Sequence, residues 1–235
     1  MQQKMPEIEY VHDRMETEEL LERLCPPVRN WFMDKFPDFT EPQKVAIPRI
    51  LNGEHLLLCS PTGSGKTLTA FLTIIDDLVR GSLDGTLPDS VQCVYISPIK
   101  ALANDIEKNL LGPLGEIKER YLPSRAKEIK VGLRTGDTPQ SERQKMLRKP
   151  PHILITTPES LGLGLASKRF RPILDQMKWF IIDEMHSLVP TKRGTHLSLS
   201  MALMDTVVSS DVQRIGISAV SYTHLRAHET KANLV

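Results

Sequence analysis

Two kinds of apolar pattern alternate along the chain. Short apolar runs stand at "HLLLC" (55–59), "VQCVYIS" (91–97), "IKVGLRT" (129–135), "HILITT" (152–157), "WFIID" (179–183) and "QRIGIS" (213–218). Between them lie longer stretches whose apolar residues recur three and four positions apart. After Lys66, Leu68, Phe71, Leu72, Ile75 and Leu78 share one helical stripe, and "THLSLSMALMDTVV" repeats the spacing with Leu197, Met201, Met204 and Val208. Pro139 follows Thr138 where the first turn of a helix favours proline. Near-continuous apolar strands separated by helices predict an α/β fold, a parallel sheet covered by helices on both faces.

The pattern also divides the chain. Residues 28–219 form the expected domain. Residues 1–27, acidic and then punctuated by prolines in "CPPVRN", read as an N-terminal extension, packed against the sheet or partly mobile. After Ser218-Ala219 the periodicity stops. Residues 220–235, ending in "SYTHLRAHETKANLV", read as adaptor or vector read-through, or else a divergent helix, and are left out of the fold prediction.

Composition changes this picture little. With 40% hydrophobic and 25% charged residues, the 235-residue chain is an ordinary globular sequence. A net charge of +1 supplies no bulk basic field, so a nucleic-acid partner would need directed local contacts. Cys25, Cys59 and Cys93 are widely spaced and lack a CxxC pair, which argues against a disulfide framework or zinc site and for reduced core thiols. The N-terminus has no secretory apolar region, and no run approaches the ~20 apolar residues of a membrane span. A cytoplasmic protein with no membrane partner is expected.

The strongest local chemistry is "CSPTGSGKTLTAF", a glycine loop between an apolar strand and an amphipathic helix. That is the frame of a phosphate-binding loop, although Ser60 stands where the general pattern has glycine. Gly63 and Gly65 let backbone amides wrap phosphates, and the helix N-terminus adds a favourable dipole. Lys66 is expected to reach the β and γ phosphates of ATP, and the Thr67 hydroxyl to ligate Mg²⁺. Ser60, Thr62, Gly63, Ser64, Gly65, Lys66 and Thr67 make up this cofactor site.

Downstream, "WFIIDEMH" ends a strand with adjacent carboxylates. Successive strand residues point to opposite sides, so the two cannot share a role. Asp183 is expected to hold Mg²⁺, often through water, and Glu184 to orient and deprotonate the attacking water. His186, two positions on, reads either as a surface residue or as a sensor of the γ-phosphate.

Together the loop, Gln43 upstream and the "DEMH" strand end resemble superfamily 2 helicases of the DExH type, specifically the first of their two RecA-like domains. "PPVRNWFMDKF", "EPQKVAIPRIL", "SPIKALANDI", "RTGDT", "TTPESL" and "TKRGTHLSLS" are most similar to the Lhr (large helicase-related) branch. The resemblance implies an ATP-dependent helicase, with DNA favoured over RNA as the single-stranded or partly duplex partner and DNA repair as its setting. It makes Gln43 the adenine reader, a role suited to an amide that donates and accepts. It makes Pro98 and Lys100 in "SPIKAL", Thr135 and Gly136 in "RTGDT", and Thr157 and Pro158 in "TTPES" contacts to a nucleic-acid backbone. Lys192 and Arg193 in "TKRG" read either as a solvated basic loop or as further strand contacts.

In that family the last strand ends in Ser-Ala-Thr; here Ser218-Ala219 is followed by Val220. The second RecA-like domain and its arginines are not in the sequence. An arginine finger is worth about 10³ to 10⁵ in rate, so this chain alone is expected to hydrolyse ATP very slowly and not to translocate. A non-catalytic nucleotide- or strand-binding module needing a partner in trans is the alternative reading. A small-molecule P-loop kinase is disfavoured, having no use for an adenine-reading glutamine or strand-tracking loops.

Overall fold

The computed structural model describes residues 9–98 and 106–219. Lys100 and residues 220–235 therefore lie outside the described residues. Each apolar run becomes a strand, trimmed where polar residues take over: β1 (Leu56–Cys59), β2 (Cys93–Ile96), β3 (Val131–Arg134), β4 (Ile153–Thr156), β5 (Trp179–Ile182) and β6 (Gln213–Ser218). They pair throughout in parallel, in the order β1-β6-β5-β2-β4-β3.

The period-two alternation of side chains builds a core on each face. Cys93, Tyr95, Ile153, Ile155, Ile181, Ile215 and Ile217 point into the first. Helices α1 (Thr17–Arg23), α2 (Pro26–Lys35), α3 (Glu41–Leu51), α4 (Lys66–Asp84) and α5 (Gly112–Tyr121) cover that side, α5 continuing a π-helical turn at Glu107–Leu111. Val94, Ile96, Leu154, Phe180 and Ile182 point into the second core. There they meet α7 (Pro158–Leu165), a 3₁₀ turn (Arg171–Leu174) and α9 (Lys192–Asp205). Two further helices, α6 (Gln140–Arg148) and α8 (Met185–Leu188), complete the described elements.

The α4 stripe behaves as its spacing predicts: Leu68, Phe71, Leu72, Ile75 and Leu78 are all buried. Three local expectations are corrected. Pro139 precedes the first turn of α6 as its N-cap residue, at φ −57° and ψ 150°, with its carbonyl accepting from Arg143 N. The α9 helix begins at Lys192, so "TKRG" forms the start of a helix rather than a loop, with Thr191 at the N-cap position. It ends at Asp205, which leaves Val208 beyond the helix although its N–H still reaches the Met204 carbonyl at 3.0 Å.

Of the described residues ahead of residue 28, several are packed. Leu20, Leu24 and Cys25 belong to the first core. The Cys25 amide donates to Asp76 Oδ1 at 2.6 Å, and Met15 N donates to the Lys44 carbonyl at 3.0 Å. Among the described residues no helix is long and apolar enough to cross a membrane.

Candidate nucleotide cleft and strand edge

Because β6 lies between β1 and β5, the carboxyl ends of β1 and β5 stand two strand spacings apart, about 10 Å. That gap separates the phosphate loop from the acid pair. In the loop, Gly63 and Gly65 take left-handed conformations, φ +81° and +82°. Ser60, the residue that departs from the general pattern, closes the turn by donating its hydroxyl to Ser64 Oγ at 2.6 Å. Its amide donates to the Ser218 carbonyl at 3.2 Å, anchoring the loop to the end of β6.

Lys66 is 7% exposed and its ammonium donates to the Ser60 carbonyl and, at 2.5 Å, to the Pro61 carbonyl. Burial lowers its pKa, opposed by the charges of Glu184 and Asp183. The cation is thus desolvated and faces two carboxylates across the cleft, where an anionic ligand gains most from it.

The start of α3 is clamped onto this loop. Thr40 N donates to Gln43 Oε1 at 2.8 Å, and Thr40 Oγ1 donates to the Ser64 carbonyl at 3.0 Å. Gln43 is buried, its Nε2 lying 3.0 Å from where a side chain on Gly65 would begin. The helix cap uses one lone pair of the Gln43 carbonyl and leaves the amide a second lone pair and its N–H donors, the set an adenine edge requires.

Asp183 is 3% exposed and held from three sides. Its amide donates to the Ile96 carbonyl at 2.8 Å, Oδ1 accepts from Glu184 N at 2.8 Å, and Oδ2 accepts from the Tyr95 hydroxyl. Glu184 follows at φ 50°, the one non-glycine residue with positive φ among the described residues. Such a conformation costs on the order of 1–3 kcal/mol and is tolerated where the surroundings fix it. Here it turns the carboxylate out of the strand direction, and Glu184 Oε2 lies 3.0 Å from His186 Nε2. His186 Nδ1 is in turn 3.4 Å from both Ser218 Oγ and Ala219 N. His186 therefore bridges Glu184 and the end of β6.

One cleft of about 920 Å³ brings together Gln43, Thr62, Gly63, Gly65, Lys66, Thr67, Asp183 and Glu184, while Ser60, Ser64 and His186 lie outside its lining. A Mg²⁺ ion fits this donor set. Mg²⁺ keeps several waters and is bound through one or two carboxylates plus substrate phosphates, rather than by an all-protein cage. Asp183 and the Thr67 hydroxyl would hold it, with Glu184 nearby, and among the described residues no denser cluster of metal-binding side chains competes.

The remaining predicted contacts follow β2, β4 and β3, which are neighbours in that order, so Pro98, Thr157-Pro158 and Thr135-Gly136 lie along one edge. They are not equally open. Gly136 is exposed, Pro98 and Thr135 are half-buried, and Thr157 and Pro158 are buried. The Thr157 hydroxyl is taken up as the α7 cap, accepting from Ser160 N at 3.3 Å. Arg193 is also committed: its Nε lies 2.5 Å from Glu159 Oε1 and its Nη2 3.2 Å from Oε2. The basic segment is a brace between α7 and α9, with Lys192 exposed beside it.

Three residues here were missed by sequence reasoning. Thr40 joins α3 to the phosphate loop, Tyr95 holds Asp183, and Arg143 clamps the 135–138 turn by donating to the carbonyls of Thr135, Gly136 and Thr138 at 2.7–3.0 Å. A capping-box pattern, Thr three residues before Gln, could have flagged Thr40. The other two depend on tertiary contacts.

Known proteins share the sequence and fold of this chain. The DEAD/DEAH box helicase family model matches residues 40–224. The chain is 46% identical over 217 residues to the ATP-dependent helicase Lhr-Core of Methanocaldococcus jannaschii, covering 92% of this chain and 25% of that protein. It is 53% identical over 197 residues to the Lhr-Core helicase of Methanothermobacter thermautotrophicus, covering 83% and 23%. Among solved structures, Mycobacterium smegmatis helicase Lhr bound to ssDNA and AMP-PNP superposes with a TM-score of 0.76 at 43% identity, covering 86% of this chain and 25% of that one. The chain thus spans about a quarter of the length of these relatives.

Proposed function

Starting from the fact that the chain belongs to the DEAD/DEAH box helicase family, we propose that it is the ATP-binding RecA-like domain, residues 28–219, of an Lhr-like ATP-dependent helicase. In this reading it drives single-strand translocation and unwinding together with a second RecA-like domain. One observation carries the reading: Gln43, the phosphate loop and the acid pair line a single cleft, while three predicted strand contacts sit on the adjacent edge of the same sheet.

The chain's own groups divide the work. Gln43 presents donors and an acceptor to adenine, and the loop amides between Gly63 and Thr67 wrap the phosphates at the α4 N-terminus. Lys66 exchanges its loop carbonyls for phosphate oxygens. Bound Mg²⁺ would supply charge neutralisation at the β and γ phosphates. Glu184, turned out of the strand by its left-handed backbone and oriented by His186, accepts the proton of the attacking water. Because His186 also touches Ser218 and Ala219, a change at the γ-phosphate has a short route to β6.

Nucleic acid follows the edge formed by the ends of β2, β4 and β3. Since Thr157 and Pro158 are buried, contact there runs through backbone and through exposed neighbours such as Gly136, not through their side chains. Single-stranded DNA is favoured over RNA because the similar M. smegmatis helicase was solved with ssDNA. The "TKRG" segment supports this edge mechanically through the Arg193–Glu159 pair, leaving Lys192 as the one cation there open to a phosphate.

The test joins this chain to a second RecA-like domain from an Lhr-Core relative and measures ATP hydrolysis with and without single-stranded DNA. Stimulation by DNA that disappears on Glu184→Gln is expected. Hydrolysis that ignores DNA and RNA alike would overturn the helicase reading and leave a nucleotide-binding module.

A further inference from the structure

The chemistry assigned to Asp183 leaves unexplained how its carboxylate is held where β5 ends at Ile182 and Glu184 turns out of the strand. Asp183 continues the face of β5 that carries Ile181, and Ile181 stands opposite Tyr95 on β2. A tyrosine at that register is long enough to rise one pleat, and its hydroxyl donates to Asp183 Oδ2. Tyr95 is 1% exposed, and its ring packs on Phe71 of α4 with centroids 4.8 Å apart. The hydroxyl is therefore fixed by a strand on one side and by the phosphate-loop helix on the other.

We propose that Tyr95 is a positioning residue for the metal-holding carboxylate. Oδ1 is engaged by Glu184 N and Oδ2 by the Tyr95 hydroxyl, so the rotation of the carboxylate is set by two donors. Asp183 itself lines the cleft together with Lys66 and Thr67. Phenylalanine would fill the same space in the first core, so packing alone does not require the hydroxyl. Partners that orient a metal ligand typically contribute about 10- to 100-fold in metal affinity. This inference rests on the reading that Asp183 holds Mg²⁺.

The experiment measures binding of a fluorescent ATP analogue to the 235-residue chain while Mg²⁺ is titrated. Tyr95→Phe should raise the half-saturating Mg²⁺ by about tenfold and leave metal-free nucleotide binding unchanged. Val94→Ala, an equally buried change on the opposite face of β2, should lower the melting temperature without moving the Mg²⁺ midpoint. Asp183→Asn separates the two levels of the argument. If Asp183→Asn shifts the midpoint and Tyr95→Phe does not, the positioning role fails and the site reading stands. If neither shifts it, the assignment of Asp183 to the metal fails as well. A midpoint shift in Val94→Ala as large as that in Tyr95→Phe would reduce Tyr95 to a packing residue and overturn the proposal.

Discussion

Gly63→Ala and Gly65→Ala form a matched pair that tests whether the Gln43 amide and the 60–67 glycine loop are one mechanical unit. Both glycines sit near φ +80°, so either alanine pays the same left-handed backbone cost, about 1–2 kcal/mol. Nothing lies within 4 Å of a methyl on Gly63, whereas a methyl on Gly65 meets Gln43 Nε2 at 3.0 Å. Gln43 cannot yield freely, because its Oε1 accepts from Thr40 N at 2.8 Å. Displacing it costs the helix cap, about 1 kcal/mol more. In a chain of this size that extra loss lowers the melting temperature by about 2–4 °C relative to Gly63→Ala. Thermal melting of the two variants reads the difference. Gln43→Ala should also cost less in the Gly65→Ala background than in wild type, since the clash is already relieved. Equal melting temperatures for the two glycine variants, with additive effects of Gln43→Ala, would refute the coupling.

Other expectations follow from single groups. His152 is fully buried, accepts from Lys130 N at 2.9 Å through Nδ1, and has its pKa lowered by burial and then by Lys130 and Lys127, with Asp89 opposing. The unfolded chain then binds the extra proton first, so this contribution is fully present above about pH 6.5 and is lost as pH falls below it; His152→Gln should flatten the acid limb of a melting-temperature profile. Arg193→Ala removes a partly exposed pair with Glu159, a loss of about 0.2–1 kcal/mol that should lower the melting temperature only slightly. Weakening of ssDNA binding greater than that of Lys192→Ala would show that Arg193 contacts the strand after all. Burial and the Asp76 carboxylate push the Cys25 thiol up to about 12, and burial raises Cys93 as well. Both should stay unreactive toward thiol reagents at neutral pH until the protein unfolds, and fast native labelling of either would contradict their placement in the core.

The sheet was legible because its inner strands β6, β5, β2 and β4 are almost wholly buried, which leaves apolar runs that polar residues end within one or two positions. The phosphate loop was legible because backbone geometry demands its glycines locally. What stayed hidden depends on contacts distant in sequence. The tyrosine of "VQCVYIS" looks like any strand aromatic until Asp183, 88 residues on, takes its hydroxyl. Arg193 reads as a free cation until Glu159 appears beside it. "TKRG" reads as loop because it holds no apolar residue to set a helical period and its glycine disfavours a helix interior. Its glycine is needed because a side chain there would meet the Leu188 carbonyl at 2.5 Å. Thr157 and Pro158 were placed correctly on the edge, but periodicity does not reveal that α7 capping buries them.

The central claim is that this cleft binds ATP through Lys66. Isothermal titration of ATP into the chain in the presence of Mg²⁺, with wild type and Lys66→Ala side by side, tests it most directly. The account predicts saturable one-to-one binding that Lys66→Ala abolishes while single-stranded DNA binding persists. Equal ATP binding by both proteins, or none by wild type, would contradict it.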